Sequence, residues 1–249
     1  MFKLSTNSNI GKSLISGVMA LASMHAQAEL TSYQSNGVDL VYSSLSDVIW
    51  TKDANLIYSM IKDKGFDNLV NSVIAANSNR TLGLSASDFE GGPLSRYGIV
   101  SWFGGMAFAN YLNSISYGGR NNWRLPTVAN TNTGWGLTTN DSVGGDELTE
   151  LFYKELGGSA YQKLPDTQIF ANEQFDAYWT GTEFGANSNN AWFFMNNEGN
   201  QQVLSKTAYR MYAWFVSPSL ASTVPEPESM AMLFAGLCLI GYINRHRSA

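Results

Sequence analysis

The chain has 249 residues and is 13% aromatic; twenty acidic residues less Glu226 and Glu228, and fifteen basic less Lys3, Lys12, Arg245 and Arg247, leave residues 29–223 at a formal charge of −7. Its two histidines are His25 and His246 and its single cysteine is Cys238, so residues 29–223 hold neither type. For that stretch, composition disfavours nucleic acid as a partner and excludes Ser–His–Asp and Cys–His nucleophiles, internal disulfides and the usual zinc, copper and haem ligand sets, while oxygen-built cation sites and carboxylate pairs survive.

At the N-terminus, Lys3 and Lys12 precede a modestly apolar stretch, Leu14 to Ala22, and then Ala26-Gln27-Ala28. A positive start, a short apolar middle and small residues at −3 and −1 predict a secretory signal peptide over residues 1–28, exported by the Sec translocon and cleaved between Ala28 and Glu29. The remaining residues to about 223 suit one domain. Val38 to Tyr42 predicts a strand, with Val48-Ile49-Trp50 as its partner across the polar turn Ser43–Asp47. Leu69, Val70, Val73 and Ile74 have helical spacing, and Asn77 to Gly92, rich in Ser, Asn and Gly, predicts a loop or insertion. A clearer helix is predicted from Trp102 to Asn113, capped by Ser101 and stopped soon after by Gly118-Gly119. Gly104 and Gly105 weaken its propensity by up to about 1 kcal/mol each, so close packing has to hold that turn. A second helix, Asp146 to Leu156, places Leu148, Leu151, Phe152 and Leu156 on one stripe and Asp146, Glu147 and Glu150 at its positive end. Aromatic and β-branched segments follow at 177–180, 191–195, 202–204 and 211–216, with a hairpin turn at Asn196–Asn200. Strands, two main helices, then more strands predict an α+β fold on mostly antiparallel sheet.

The strongest internal motif is Gly118-Gly119-Arg120-Asn121-Asn122-Trp123-Arg124-Leu125-Pro126-Thr127. It resembles the Gly-Gly-x-x-x-Trp-Arg-Leu-Pro-Thr signature of the Lcl C-terminal-like domain family. Asp47 to Asn55 resembles that family's opening segment, Ser101 to Asn113 its first helix, and Tyr178-Trp179-Thr180-Gly181-Thr182-Glu183 its Trp-Ser-Ser-Thr-Glu block; Asn189 to Phe194 and Tyr212 to Val216 also fit. The resemblance implies a C-type-lectin-like fold, shared with formylglycine-generating enzymes that carry a similar Arg-Leu-Pro-Thr turn. The stretch Asn77–Ser87 is an extra segment relative to the family, and the cysteines of both related groups are missing, which argues against oxidase chemistry.

Each motif has a bland and a sharp interpretation. Trp123 and Leu125 alternate with Arg124 as on a half-buried strand and Pro126 fixes the exit, so Trp123, Arg124, Leu125, Pro126, Thr127 and Trp179 are structural, with Arg124 paired to a carboxylate or to carbonyls; a functional interpretation makes Arg124 a ligand contact. The segment Thr182 to Asn190 is the better binding candidate. Glu183, Asn187, Asn189 and Asn190 put oxygens on a loop, as sugar hydroxyls or calcium at Glu183 and Asn190 require, and C-type lectins use Glu and Asn in a similar part of the fold. The alternative is a solvated loop. Asp146, Glu147 and Glu150 offer a glycosidase-like acid pair, although dipole and capping alone account for their place. Trp179, Trp192 and Trp214 are expected in the core rather than on a sugar-stacking surface.

The tail Val224-Pro-Glu-Pro-Glu, an uncharged run from Ser229 to Ile243, and Arg245 and Arg247 make a three-part tag. The run is about 22 Å as a helix, short of a bilayer core of roughly 30 Å, and the arginine stems make up part of the difference. Pro225 and Pro227 and the basic end predict a membrane segment with a cytoplasmic C-terminus rather than a core helix. Pro225-Glu226-Pro227, together with the apolar run and the basic end behind it, resembles the PEP-CTERM signal, which implies processing by an exosortase and co-occurrence with exopolysaccharide. The expectation is an exported cell-surface or matrix protein, held transiently at the inner membrane, without a required cofactor, that binds extracellular polysaccharide or another envelope component without catalysis. The alternatives are a carbohydrate-active enzyme using two carboxylates, or a matrix protein with no specific ligand.

Overall fold

The computed structural model describes residues 29–89, 97–129, 146–162 and 167–219; the signal, cleavage and sorting-tag expectations at residues 1–28 and 224–249 lie outside them. Among the described residues, two antiparallel sheets and four α-helices build a mixed α+β domain. The first sheet has the order β1-β2-β3-β7, from β1 (Leu30–Ser35), β2 (Val38–Ser43), β3 (Val48–Thr51) and β7 (Val216–Pro218). The second is the meander β4 (Ala177–Glu183), β5 (Asn190–Met195) and β6 (Asn200–Ser205). The mostly antiparallel strand pairing expected from sequence is present, divided between two sheets. Among the described residues no helix is long and apolar enough to cross a membrane.

Residues 38–43 and 48–51 pair as expected, with Leu40 opposite Thr51 and Ser43 opposite Val48. Strand β1 lies outside the predicted elements, because Leu-Thr-Ser-Tyr-Gln-Ser shows little apolar alternation. Its cue is the turn: Asn36 and Gly37 both have positive φ, 47° and 75°, as a two-residue type I′ hairpin demands. Register follows from that turn, with Ser35 opposite Val38 and Leu30 opposite Ser43.

Helix α1 (Leu56–Lys64) buries Leu56, Ile57 and Met60 and is separated from α2 (Phe66–Ala76) only by Gly65, at φ 80°. Helix α3 (Trp102–Ser114) begins as the sequence predicts: the Gly104 N–H donates to Ser101 Oγ at 3.0 Å, and that hydroxyl donates to Asp88 at 2.6 Å. A Cβ on Gly104 would lie 2.9 Å from the Asp88 carbonyl oxygen, so close approach does require glycine there. The extra segment starts on a structural residue. Buried Asn77 donates to the Val73 and Ala107 carbonyls at 2.8 and 3.0 Å and fastens α2 to α3.

Helix α4 is one α-helical turn (Glu147–Glu150) that continues as a π-helical turn, Leu151–Glu155, in which the Leu156 N–H bonds the Leu151 carbonyl at 2.9 Å. Its predicted stripe of Leu148, Leu151, Phe152 and Leu156 is wholly buried. The strand expected at 211–216 is regular only from Val216. Three of the preceding residues bond different elements: Met211 pairs with Val100, the Trp179 N–H donates to the Tyr212 carbonyl at 2.9 Å, and the Thr51 N–H donates to the Phe215 carbonyl at 3.0 Å. This segment fastens the two sheets and the approach to α3 together, which a single ladder would forbid.

The core is rich in tryptophan. Trp50, Trp179, Trp192 and Trp214 are buried, as expected of the last three. Several indole N–H groups reach carbonyls of another element: Trp102 to Thr180 at 2.8 Å, Trp179 to Val100 at 3.0 Å and Trp214 to Thr51 at 2.9 Å.

Candidate functional site

The Trp123–Thr127 turn is wedged between β7 and β4. The Arg124 backbone exchanges hydrogen bonds with Val216 at 2.8 and 2.9 Å, and the Gly181 N–H donates to the Pro126 carbonyl at 2.7 Å. Trp123 and Leu125 point into the core, while Asn113 on α3 accepts from the Trp123 N–H at 2.5 Å and donates back to its carbonyl at 2.9 Å. The Arg124 guanidinium grips Glu147 bidentately, at 2.8 and 2.6 Å, and the same carboxylate accepts the Thr127 N–H at 2.7 Å. The partner expected for Arg124 is thus Glu147, twenty-three residues away on α4. Fork geometry and a nearly inaccessible carboxylate make this a structural clamp.

The other acids of α4 are also tied to neighbours, each to a different one. Asp146 accepts from the Ala129 N–H at 2.6 Å and from Gln201 Nε2 on β6 at 3.0 Å. Ser46 donates to Glu150 at 2.7 Å, and Ser43 donates to both oxygens of Glu155 at 2.9 Å. Dipole and capping are therefore too narrow an account of Asp146, Glu147 and Glu150; Asp146 makes no side-chain cap bond, and packing contacts fix all three. Burial pushes the Glu155 carboxyl up to about 7; the Ser43 hydroxyl and the Leu45 N–H oppose that shift and the Glu150 charge adds to it.

The sequence-predicted loop residues do come together. Glu183 ends β4, Asn190 begins β5, and the connection between them braces itself. The Asn187 N–H donates to the Phe184 carbonyl, the Asn190 N–H to the Asn187 carbonyl, and the Phe184 N–H to the Asn190 carbonyl, all at 3.0 Å. Asn187 Oδ1 accepts the Asn189 N–H at 3.0 Å, so its oxygen is already engaged by the turn. The side chains of Asn189 and Asn190 make no hydrogen bond among the described residues, and residues 185–189 are exposed.

Sequence reasoning missed Lys206. Its Nζ lies 2.6 Å from Glu183 Oε1 and 4.4 Å from the centroid of the Trp102 ring, with the lysine side chain 5% exposed and the glutamate 53%. A lone lysine just past a strand carries no cue to this arrangement, which forms only when β4, β6 and α3 meet. The ammonium also bears on calcium. Ca²⁺ takes 6–8 oxygen ligands, usually with several carboxylates. Here the loop offers one carboxylate, already countered by Lys206, and one of its amide oxygens is committed. Among the described residues no three Asp, Glu, His or Cys are grouped to hold a metal. This donor set does not fit a calcium ion. What it offers is an exposed rim of hydrogen-bonding groups on a rigid hairpin.

No curated protein and no solved structure is a significant match to the chain. The family model of the Lcl C-terminal domain matches residues 39–217, a span running from β2 through the Trp123–Thr127 turn to β7. The chain belongs to the Lcl C-terminal domain family.

Proposed function

We propose that this is an exported surface or matrix protein, sorted by an exosortase through Pro225-Glu226-Pro227 and the apolar run behind it, whose Lcl C-terminal domain binds extracellular polysaccharide without catalysis. The mixed α+β frame supports assigning the domain to the C-type-lectin-like folds. The observation that carries the binding reading is the β4–β5 hairpin. Its Glu183 and Asn189 are exposed and Asn190 is half-buried on a self-braced loop, whereas the acids of α4 are engaged in packing contacts. Exposed amides and a carboxylate on a fixed backbone suit sugar hydroxyls, which donate and accept at once.

The test is retention of the full-length protein by polysaccharide extracted from the matrix of its host. Asn189→Ala with Asn190→Ala is the informative change, since neither side chain holds the fold. Glu183→Gln is preferable to Glu183→Ala, because the amide oxygen still accepts from Lys206 and a buried ammonium is not stranded. Retention is expected to weaken about tenfold in the double variant, as loss of one or two hydrogen bonds predicts. Binding of wild type to no matrix fraction would remove the reading. Mass spectrometry of the mature protein checks the sorting half: its N-terminus is expected at Glu29 and its tail shortened.

A further inference from the structure

A second surface carries groups that neither the core nor the β4–β5 hairpin uses. Tyr97 is 53% exposed, and its ring centroid lies 6.1 Å from that of Tyr58, with 34° between the planes. Interior pairs take both geometries, edge to face at 84° for Phe170 and Trp214 and stacked at 29° for Phe108 and Phe215. Exposure is what sets the Tyr58–Tyr97 pair apart: Phe108 and Phe215 are fully buried, whereas Tyr58 is half-buried and Tyr97 largely exposed.

The pair is built, not incidental. Asn55 Nδ2 donates to the Tyr97 carbonyl at 2.8 Å. Gly98, at φ +86°, passes so close to α1 that a Cβ would overlap the Asn55 side chain and lie 2.9 Å from the Tyr58 backbone nitrogen. Only glycine lets the chain deliver Tyr97 to the first turns of that helix. Lys62, one turn further along, sets its Nζ 4.6 Å from the Tyr58 centroid.

Hydrogen-bonding groups border the rings. The Ala54 N–H donates to the Ala171 carbonyl at 2.8 Å, which docks the loop after Phe170 against the start of α1. On that loop Asn172, in the left-handed region at φ 60°, reaches Ser59 Oγ at 3.4 Å.

From this arrangement we infer that Tyr58 and Tyr97 form a stacking platform for a pyranose chain that carries no acid groups, with Asn172 contacting its hydroxyls. The C–H face of a pyranose lies well on an aromatic face, while its rim of hydroxyls needs donors and acceptors beside the rings. Charge selects the class of sugar. Residues 29–223 carry −7, which the single Lys62 ammonium beside Tyr58 does not offset, so a uronate or sulfated polymer is repelled. The inference rests on the polysaccharide-binding reading but places contacts on a surface separate from residues 183–190.

Affinity electrophoresis of the full-length protein tests it, with hydroxyethylcellulose, laminarin and dextran as acid-free polymers, alginate as the uronate, and host matrix polysaccharide in a further gel. Retardation by at least one acid-free polymer and none by alginate is expected. Tyr97→Ala should weaken it about tenfold, the loss of one stacked ring, while Tyr97→Phe stays near wild type because the ring and not the hydroxyl does the stacking. Tyr97 is exposed, and an unchanged melting temperature confirms that Tyr97→Ala leaves the fold intact. Equal retardation of wild type and Tyr97→Ala, preference for alginate, or indifference to every acid-free polymer overturns the platform. In those cases retention by host polysaccharide still upholds the broader reading, and its absence from every gel removes both.

Discussion

Removing the Arg124 guanidinium should destabilise the domain far more than an ordinary surface change. Glu147 is only 7% exposed and accepts three hydrogen bonds, two from Arg124 and one from the Thr127 N–H. Arg124→Ala leaves that carboxylate with a single backbone donor. Stranding a buried charge typically costs about 3–5 kcal/mol, but the Arg124 side chain is 34% exposed, so water can enter the vacated space and about 2–4 kcal/mol is the better expectation. At roughly 2–4 °C per kcal/mol for a domain of this size, the melting temperature should fall by about 5–15 °C. Circular dichroism melts and urea titrations measure it. The double variant Arg124→Ala/Glu147→Ala should fall short of the sum of the singles by about 1 kcal/mol or more, since removing the acid also removes the stranded charge. Single effects that add to within about 0.5 kcal/mol, or a melting shift under about 3 °C for Arg124→Ala, would refute the clamp.

Three further expectations concern neighbouring features. Gly104→Ala and Gly105→Ala should differ in sign although both raise helix propensity by up to about 1 kcal/mol: a Cβ at 104 meets the Asp88 backbone at 2.9 Å and should cost about 1–3 kcal/mol net, whereas at 105 it meets the Leu125 and Ala213 side chains at 3.4 and 3.6 Å, so that variant should be neutral or stabilised in urea titrations. Ser101→Ala should cost about 1–2 kcal/mol, because the cap to Gly104 and the bond to Asp88 are lost together. Glu155 sets a pH dependence: its folded pKa of about 7 lies above the ordinary 4.5, so the folded state holds the extra proton and stability falls as pH rises from about 4.5 to 7. The group is half-buried, which limits the effect to about 1–2 kcal/mol; Glu155→Gln should flatten stability between pH 5 and 8, and an unchanged slope would contradict this.

Much of the frame is legible from sequence wherever a local pattern decides the outcome. The stripe on α4, the Ser101 cap and the β2–β3 pair each depend on residues within a few positions of one another. Strand β1 fails that test on apolar pattern, yet Asn36-Gly37 carries the information in its turn chemistry. Helix α1 hides because Gly65 alone separates it from α2, which makes two amphipathic faces read as irregular sequence. The 211–216 segment looks like a strand because it is buried and aromatic, and only the arrangement of three other elements decides that its hydrogen bonds are shared. Long-range pairs are illegible for the same reason. The carboxylate that Arg124 needs is inferable as a type of partner, but the identity of Glu147, and the whole Lys206–Glu183 contact, exist only after α4, β4 and β6 have been brought together.

The fate of the aromatic residues ties stability to the proposed binding. An aromatic share of 13% suggests at first a protein dressed for sugars. Most of that content is interior, where the indoles of Trp102, Trp179 and Trp214 join helix to sheet or sheet to loop through carbonyl hydrogen bonds. Each such bond contributes only about 1 kcal/mol net, but it comes with the burial of a large ring, and it fixes the position of two elements at once. Residues 29–223 lack cysteine, so disulfides cannot fix those elements and the tryptophans supply the cross-bracing. An aromatic left at the surface by such a core stands out. Scattered exposed rings are normal, yet Tyr97 is held by Asn55 and by a glycine that nothing larger can replace, against a second tyrosine. A ring whose exposure depends on that much local construction is better explained by what it meets outside the fold than by what it contributes within it.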